Sequence, residues 1–301
     1  MNKLVVIAGT NASGKSSLGI ELALHYGAEI ISADSRQVFK GLDLGSGKVT
    51  KEEMKGVPHH LLDVAGVNEF FSLKDYQSLA YKAIDGCFER GVQPFLVGGT
   101  GLYINAVTDG YNLSVAPPTE ELRSEIEKKS TDELIELIRT RQPEALEQVD
   151  IQNKRRLERA AEKAVMGVPM QLDNIKKYET LVLGVTWPRE VLYRRIEERL
   201  DRRLEQGMIE EVEGLIAAGA TDDFLYKLGL EYRYILLYLR GRFSTKEAFR
   251  EELFKEIRHL AKEQMTWFRK RKDMTWIDMQ DKPFEEAVRL IDGFLNIGGI
   301  K

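Results

Sequence analysis

The chain has 301 residues, 43% of them hydrophobic and 31% charged, with 44 Lys and Arg against 48 Asp and Glu for a formal net charge of −4. These figures exclude a disordered polymer and leave room for one large α/β domain or two unequal ones. They also exclude binding to nucleic acid through overall basicity, so any such surface has to come from local clusters.

The first apolar run, residues 4–8, is shorter than the ~7–15 residues of a signal-peptide core, and it leads straight into a glycine loop. It reads as a first β-strand. The loop that follows, GTNASGKS, matches G-x-x-x-x-G-K-[ST] in full: Gly9, Thr10, Asn11, Ala12, Ser13, Gly14, Lys15 and Ser16. Glycines let backbone N–H groups turn onto phosphate oxygens, and the helix expected from Lys15 adds the positive end of its dipole. Lys15 brings a mobile positive charge, and the Ser16 hydroxyl is placed to ligate Mg²⁺. This signal names a class of ligand and no reaction.

A second strand is expected over residues 29–33, ending at Asp34. In a parallel sheet the strand next to the phosphate-loop strand ends at the same carboxyl edge, where ligands bind. A carboxylate there can take a proton from a substrate hydroxyl or amine. The competing reading is a turn cap made by Asp34 and Ser35. His59 and His60 read as structural hydrogen-bonders. Cys87 reads as a small buried residue on a helix, and a single cysteine cannot form an internal disulfide.

Residues 94–97 and 181–185 complete four buried strands, the first three separated by helix-length stretches as in βαβ units. Residues 274–277 are a weaker fifth strand. Residues 112–177 break the rhythm with helical patterns alone. Ser130 and Glu133 have capping-box spacing for a helix from Thr131, and a helix over residues 153–166 ends at Gly167 with Pro169 beyond. The expected fold is α/β, a P-loop-kinase-like core with a central parallel sheet and an all-helical insertion. The divisions are 1–112, 113–179 and 180–301. No run approaches the ~18 apolar residues of a membrane span, and a lone cysteine suits a reducing compartment, so a cytoplasmic protein is expected.

Beyond the insertion, Arg195, Arg199, Arg202 and Arg203 share one helix face, which periodicity alone assigns to solvent. Arg155, Arg156, Arg159 and Lys163 form a polar face opposite Leu157, Ala161 and Ala164. Residues 269–272 are a further basic cluster beside Trp267 and Phe268, which read as core in preference to a stacking platform.

Eight segments together resemble the bacterial tRNA dimethylallyltransferases, also called tRNA isopentenyltransferases. They are GTNASGKS, DSRQVFKGLDLGSGK from Asp34, PHHLLD, FLVGGTGLY, NKRRLERAAE, RRIEERLDRRLEQG, LGLEYR and KEQMTWFRK, in family order along almost the whole chain. Phe39 stands where a tyrosine is common, and the stretch before Asn153 lacks a frequent His-Pro. The resemblance implies transfer of a dimethylallyl group from dimethylallyl pyrophosphate to N6 of an adenosine. That base lies immediately 3′ of the anticodon in tRNAs reading codons that begin with U. The phosphate loop would hold the pyrophosphate, with Mg²⁺ and without consumption of ATP.

By the same resemblance the catalytic residues are Asp34 as general base, Thr100 at the reacting centre and Arg199 on the leaving group. The tRNA contacts are Asp34, Ser35, Arg36, Gln37, Thr100, Arg123, Arg155, Arg156, Leu157, Glu158 and Arg159. The partner is the anticodon stem-loop, met by a monomer with no membrane. Two other readings stay open: a small-molecule or nucleoside kinase, and an RNA-binding protein that retains a nucleotide site.

Overall fold

The computed structural model describes residues 1–115, 117–170 and 172–297. Two compact units emerge, one built from Met1–Thr108 with Lys176–Lys301 and the other from Asp109–Ile175.

The first unit is organised on six strands: β1 (Lys3–Gly9), β2 (Glu29–Ala33), β3 (His59–His60), β4 (Pro94–Gly98), β5 (Glu179–Thr186) and β6 (Met274–Asp278). They lie in the order β3-β2-β4-β1-β5-β6, and every pairing is parallel. All five expected strands are present. The sixth, β3, went unforeseen because its two histidines carry no apolar signal; it adds to the sheet edge by pairing with Ile30 and Ile31. The order also corrects one inference, since β2 is not the neighbour of the phosphate-loop strand. β4 lies between them, although both still end at the same carboxyl edge.

Alternation along β1 divides the core. Val5 and Ile7 face Leu18, Leu22 and Ile291 of helices α1 (Lys15–Tyr26) and α13 (Pro283–Leu295). Leu4, Val6 and Ala8 face the larger cluster on the opposite side. That side is covered by α3 (Leu73–Glu89), α4 (Gly101–Thr108), α8 (Arg189–Glu205), α9 (Met208–Ala217), α11 (Leu230–Leu239) and α12 (Lys246–Arg269). Short helices α2 (Lys51–Met54) and α10 (Asp222–Leu228) complete the unit. The result is a three-layer α/β/α core of the P-loop-kinase type. Among the described residues no helix is long and apolar enough to cross a membrane.

The second unit packs α5 (Glu120–Glu127), α6 (Thr131–Arg141), a 3₁₀ turn (Pro143–Glu147) and α7 (Lys154–Met166) around its own apolar cluster. The capping box at Ser130 and Glu133 forms as expected, and Gly167 ends α7 in the left-handed conformation. Cys87 is fully buried on α3, where burial and then the nearby Glu29 carboxylate push its thiol up to about 11. His59 Nδ1 lies 2.8 Å from the Val57 carbonyl, and His60 Nε2 lies 2.6 Å from Glu29. The Arg90 guanidinium is 2.6 Å from the same Glu29 oxygen.

Candidate active site

The phosphate loop leaves β1 at Gly9 and enters α1 through Gly14, whose φ of 86° is left-handed. Neighbouring elements hold the loop from outside. Trp187, just past β5, donates its indole N–H to the Ser13 carbonyl at 2.8 Å, and Arg195 donates from Nε to the Ala12 carbonyl at 3.0 Å. The same guanidinium sits 4.6 Å over the Trp187 ring. Lys15 folds back so that Nζ donates to the Thr10 carbonyl at 3.2 Å. Burial first, and then the Arg199 charge, push the Lys15 ammonium down to about 8, against the opposing pull of Asp34. A cation held this way is stabilised by any anion that arrives.

Arg199 reaches over the loop from α8. Its Nη1 donates to Asn11 Oδ1 at 2.8 Å and its Nη2 to the Gly47 carbonyl at 3.4 Å. Gln37 Nε2 reaches that carbonyl too, at 3.3 Å. Gly47 has a φ of 63°, and a Cβ there would collide with the guanidinium groups of both Arg199 and Arg203. The left-handed φ strains any side chain here, and a Cβ would have to displace both guanidinium tips. Its loop is clamped in turn by Glu211, which accepts from the N–H groups of Asp43, Leu44 and Gly45 at 3.1, 2.6 and 3.1 Å. Lys48 is fixed by Asp43 and Asp63 at 2.7 and 2.5 Å, which gives the PHHLLD segment a structural task.

Asp34 follows β2 directly. Its Oδ1 accepts from Arg36 N at 2.9 Å, so the capping bond considered from sequence does form. Gln37 N donates to the same oxygen at 3.4 Å, so both bonds fall on Oδ1. Thr100 follows β4 and ties the two strand ends together: its N–H donates to the Ala33 carbonyl at 3.1 Å, and its Oγ1 accepts from Ser35 N at 3.0 Å. The approach depends on Gly98, since a Cβ there would collide with the Ala33 carbonyl.

Gln264 on α12, which sequence reasoning passed over, joins the two halves. Its Oε1 accepts from Asn11 N at 2.9 Å while its Nε2 donates to the Gly99 carbonyl at 2.9 Å. One amide thus links the phosphate loop to the loop bearing Thr100. Trp267, one turn on, packs against Gly101, and Phe268 is buried, as the core reading had it. Arg271 of the neighbouring basic cluster binds Asn105, Thr108 and Asp273. Gln264→Ala leaves two backbone groups unpaired and is expected to cost about 1–3 kcal/mol. Chemical denaturation measures this, and a midpoint equal to wild type would mean that the link carries no stability.

Ala12 to Ser16 of the loop, with Gly47, Arg199 and Arg203, line one cavity of about 670 Å³. The arginine stripe of α8 therefore does not simply face solvent as periodicity suggested: Arg195, Arg199 and Arg203 turn toward the phosphate loop.

In the helical unit, Arg155, Arg156 and Arg159 are exposed on α7, and Glu158 is partly buried, 3.8 Å from Lys154. Leu157 is not on that surface. Its side chain is fully buried in the unit's core, so it supports the basic face from beneath. Arg159 and Arg123 lie 2.6 and 3.9 Å from the buried Glu162, and Arg156 lies 3.5 Å from Asp150.

Comparison with known proteins gives the assembly a family. The family model described as IPP transferase matches residues 37–271. The chain is 40% identical to a tRNA dimethylallyltransferase of an Exiguobacterium strain, over 96% of this chain and 94% of that protein. It is also 40% identical to one from Geobacillus thermodenitrificans, over 99% and 96%. The full-length tRNA isopentenylpyrophosphate transferase of Bacillus halodurans superposes with a TM-score of 0.76 at 38% identity, over 98% of this chain and 97% of that one. A eukaryotic dimethylallyltransferase acting on tRNA shares the fold, with a TM-score of 0.82 at 24% identity. The chain belongs to the IPP transferase family, that of the bacterial tRNA dimethylallyltransferases, and is a transferase enzyme.

Proposed function

We propose that the chain transfers a dimethylallyl group from dimethylallyl pyrophosphate to N6 of the adenosine immediately 3′ of the anticodon, in tRNAs that read codons beginning with U. The carrying observation is convergence at one sheet edge. The phosphate loop with Lys15 and Arg199 faces a leaving group, Asp34 stands two strands away, and Thr100 lies between them.

The allylic C–O bond breaks with its electron pair on the pyrophosphate oxygen, and the N6 lone pair forms the new C–N bond. Negative charge grows on pyrophosphate, where loop amides, Lys15 and Arg199 are already aimed. The exocyclic amine loses its proton to the oxygen of Asp34 not bound to Arg36 N. Thr100, held through Ser35 N, orients this end of the site. The target base leaves its stack to enter.

The Ser16 hydroxyl lines the cavity beside Lys15, a donor set suited to Mg²⁺ bound by one protein oxygen with substrate phosphates and water completing the shell. Such an ion would offset the charge that develops on pyrophosphate.

Incubation with undermodified tRNA and either labelled dimethylallyl pyrophosphate or γ-labelled ATP tests the reading. Label from the prenyl donor in tRNA is the expected result. Phosphate transfer from ATP would make the chain a kinase, and no transfer from either would leave a binding protein.

The exposed arginines of α7 are assigned to tRNA phosphates. Arg155→Ala with Arg156→Ala is expected to weaken tRNA binding and leave binding of dimethylallyl pyrophosphate unchanged. The slope of log affinity against log salt should drop by about 0.7–0.9 for each lost contact. Equal slopes in variant and wild type would return this face to solvent. Arg159 is left intact because it neutralises Glu162.

A further inference from the structure

We infer that Arg203 is a second pyrophosphate-binding arginine, paired with Glu231 and drawn onto the ligand when it binds; this rests on the pyrophosphate reading above.

Arg203 lies one turn beyond Arg199 on α8 and lines the cavity that contains Lys15 and Ser16. It is 8% exposed, and its Nη2 is buried with no hydrogen-bond partner among the described residues. An unsatisfied guanidinium nitrogen in a protein interior is costly unless something polar reaches it. The carboxylate paired with Arg203 belongs to Glu231, in the first turn of α11, which is itself 4% exposed. Their 3.9 Å separation is a loose ion pair, long beside the roughly 2.7–2.9 Å of a charge-assisted hydrogen bond.

The two guanidinium groups of Arg199 and Arg203 press on the same glycine, Gly47. Burial opposes the positive charge of each, and the Arg203 charge further opposes that of Arg199. Lys15 lines the same cavity. Seven basic side chains, these three among them, line the cavity against the four carboxylates of Glu21, Asp43, Glu53 and Glu198, so the lining is short of negative charge. Pyrophosphate supplies several such charges and enough oxygens to satisfy Nη2. Glu231 then serves as a stand-in anion that competes weakly with the ligand.

Calorimetry with inorganic pyrophosphate on the full chain tests this. Arg203→Met keeps the unbranched shape without the charge and is expected to weaken pyrophosphate affinity about 10- to 100-fold. KM for dimethylallyl pyrophosphate should rise in step while KM for tRNA is unchanged. Glu231→Gln removes the competitor and is expected to tighten pyrophosphate binding about 3- to 10-fold. A folded Arg203→Met variant with wild-type affinity overturns the inference and leaves Arg203 as a structural partner of Glu231. Should Arg203→Met fail to fold, unchanged or weaker binding in Glu231→Gln overturns it equally. Absence of pyrophosphate binding by the wild-type chain would instead overturn the underlying reading of the cavity, and this inference with it.

Discussion

Asp34→Asn is expected to lower turnover by roughly 10²–10⁴, the usual worth of a general base, with folding and binding of dimethylallyl pyrophosphate close to wild type. Asparagine is the informative substitution because Asp34 has two candidate tasks. Its Oδ1 accepts from Arg36 N at 2.9 Å, and an asparagine Oδ1 accepts the same bond. Asparagine cannot take up a proton from the substrate amine. If capping were the whole role, Asp34→Asn would work at nearly the normal rate. Asp34→Ala, which loses both tasks, would then show mainly a stability loss of about 0.5–2 kcal/mol. Single-turnover rates beside thermal unfolding separate the two, and a near-normal rate in the asparagine variant would sink the base assignment.

Arg199→Ala and Lys15→Ala are each expected to cost about 10²–10³ in rate and to weaken pyrophosphate binding as well. On the proposed reading both charges meet the leaving group before and during bond breaking, so ground-state and transition-state binding fall together. Calorimetry with inorganic pyrophosphate and steady-state kinetics read the two effects, and unchanged affinity in Arg199→Ala would return that residue to a structural role. Lys15 adds a dependence on pH. In the folded protein its ammonium is pushed down to about 8, below the ordinary 10.5. Pyrophosphate affinity in the wild type should therefore fall as pH rises through about 8, a step that Lys15→Ala lacks. Between those two values the unfolded chain holds the extra proton, so this group makes the ligand-free protein more stable as pH rises through that window.

The sequence carried the strands well because a sheet buried on both faces demands continuous apolar runs, and residues 4–8 and 94–97 are such runs. β3 escaped because an edge strand of two half-exposed histidines buries little. The placing of β4 between β1 and β2 was not legible, since strand order depends on crossovers and not on local pattern. Asp34 stood out at a strand end and Thr100 only through the family resemblance, but the bonds that tie the two strand ends together run from Thr100 to Ala33 and Ser35. Arg195 and Arg203 were seen on one helix face, yet periodicity says which residues share a face and not what covers it. What covers Arg203 includes Glu231, far along the chain. Gln264 stood in the KEQMTWFRK segment without being singled out, because one amide in a charged helix is unremarkable until its two backbone partners arrive from distant loops.

The first unit is woven from two stretches of chain, and β1 sits where they meet. Its partner on one side is β4, from the earlier stretch, and on the other side β5, which begins at Glu179. During synthesis, residues 1–108 would therefore emerge with one whole edge of an apolar central strand unpaired, an aggregation hazard until β5 is made. The binding cavity matures later still, since Arg199 and then Gln264 must arrive to fix Asn11 from two directions. No fragment that stops before α12 holds a finished phosphate loop, so ligand protection against proteolysis should first appear when nearly the full chain is present.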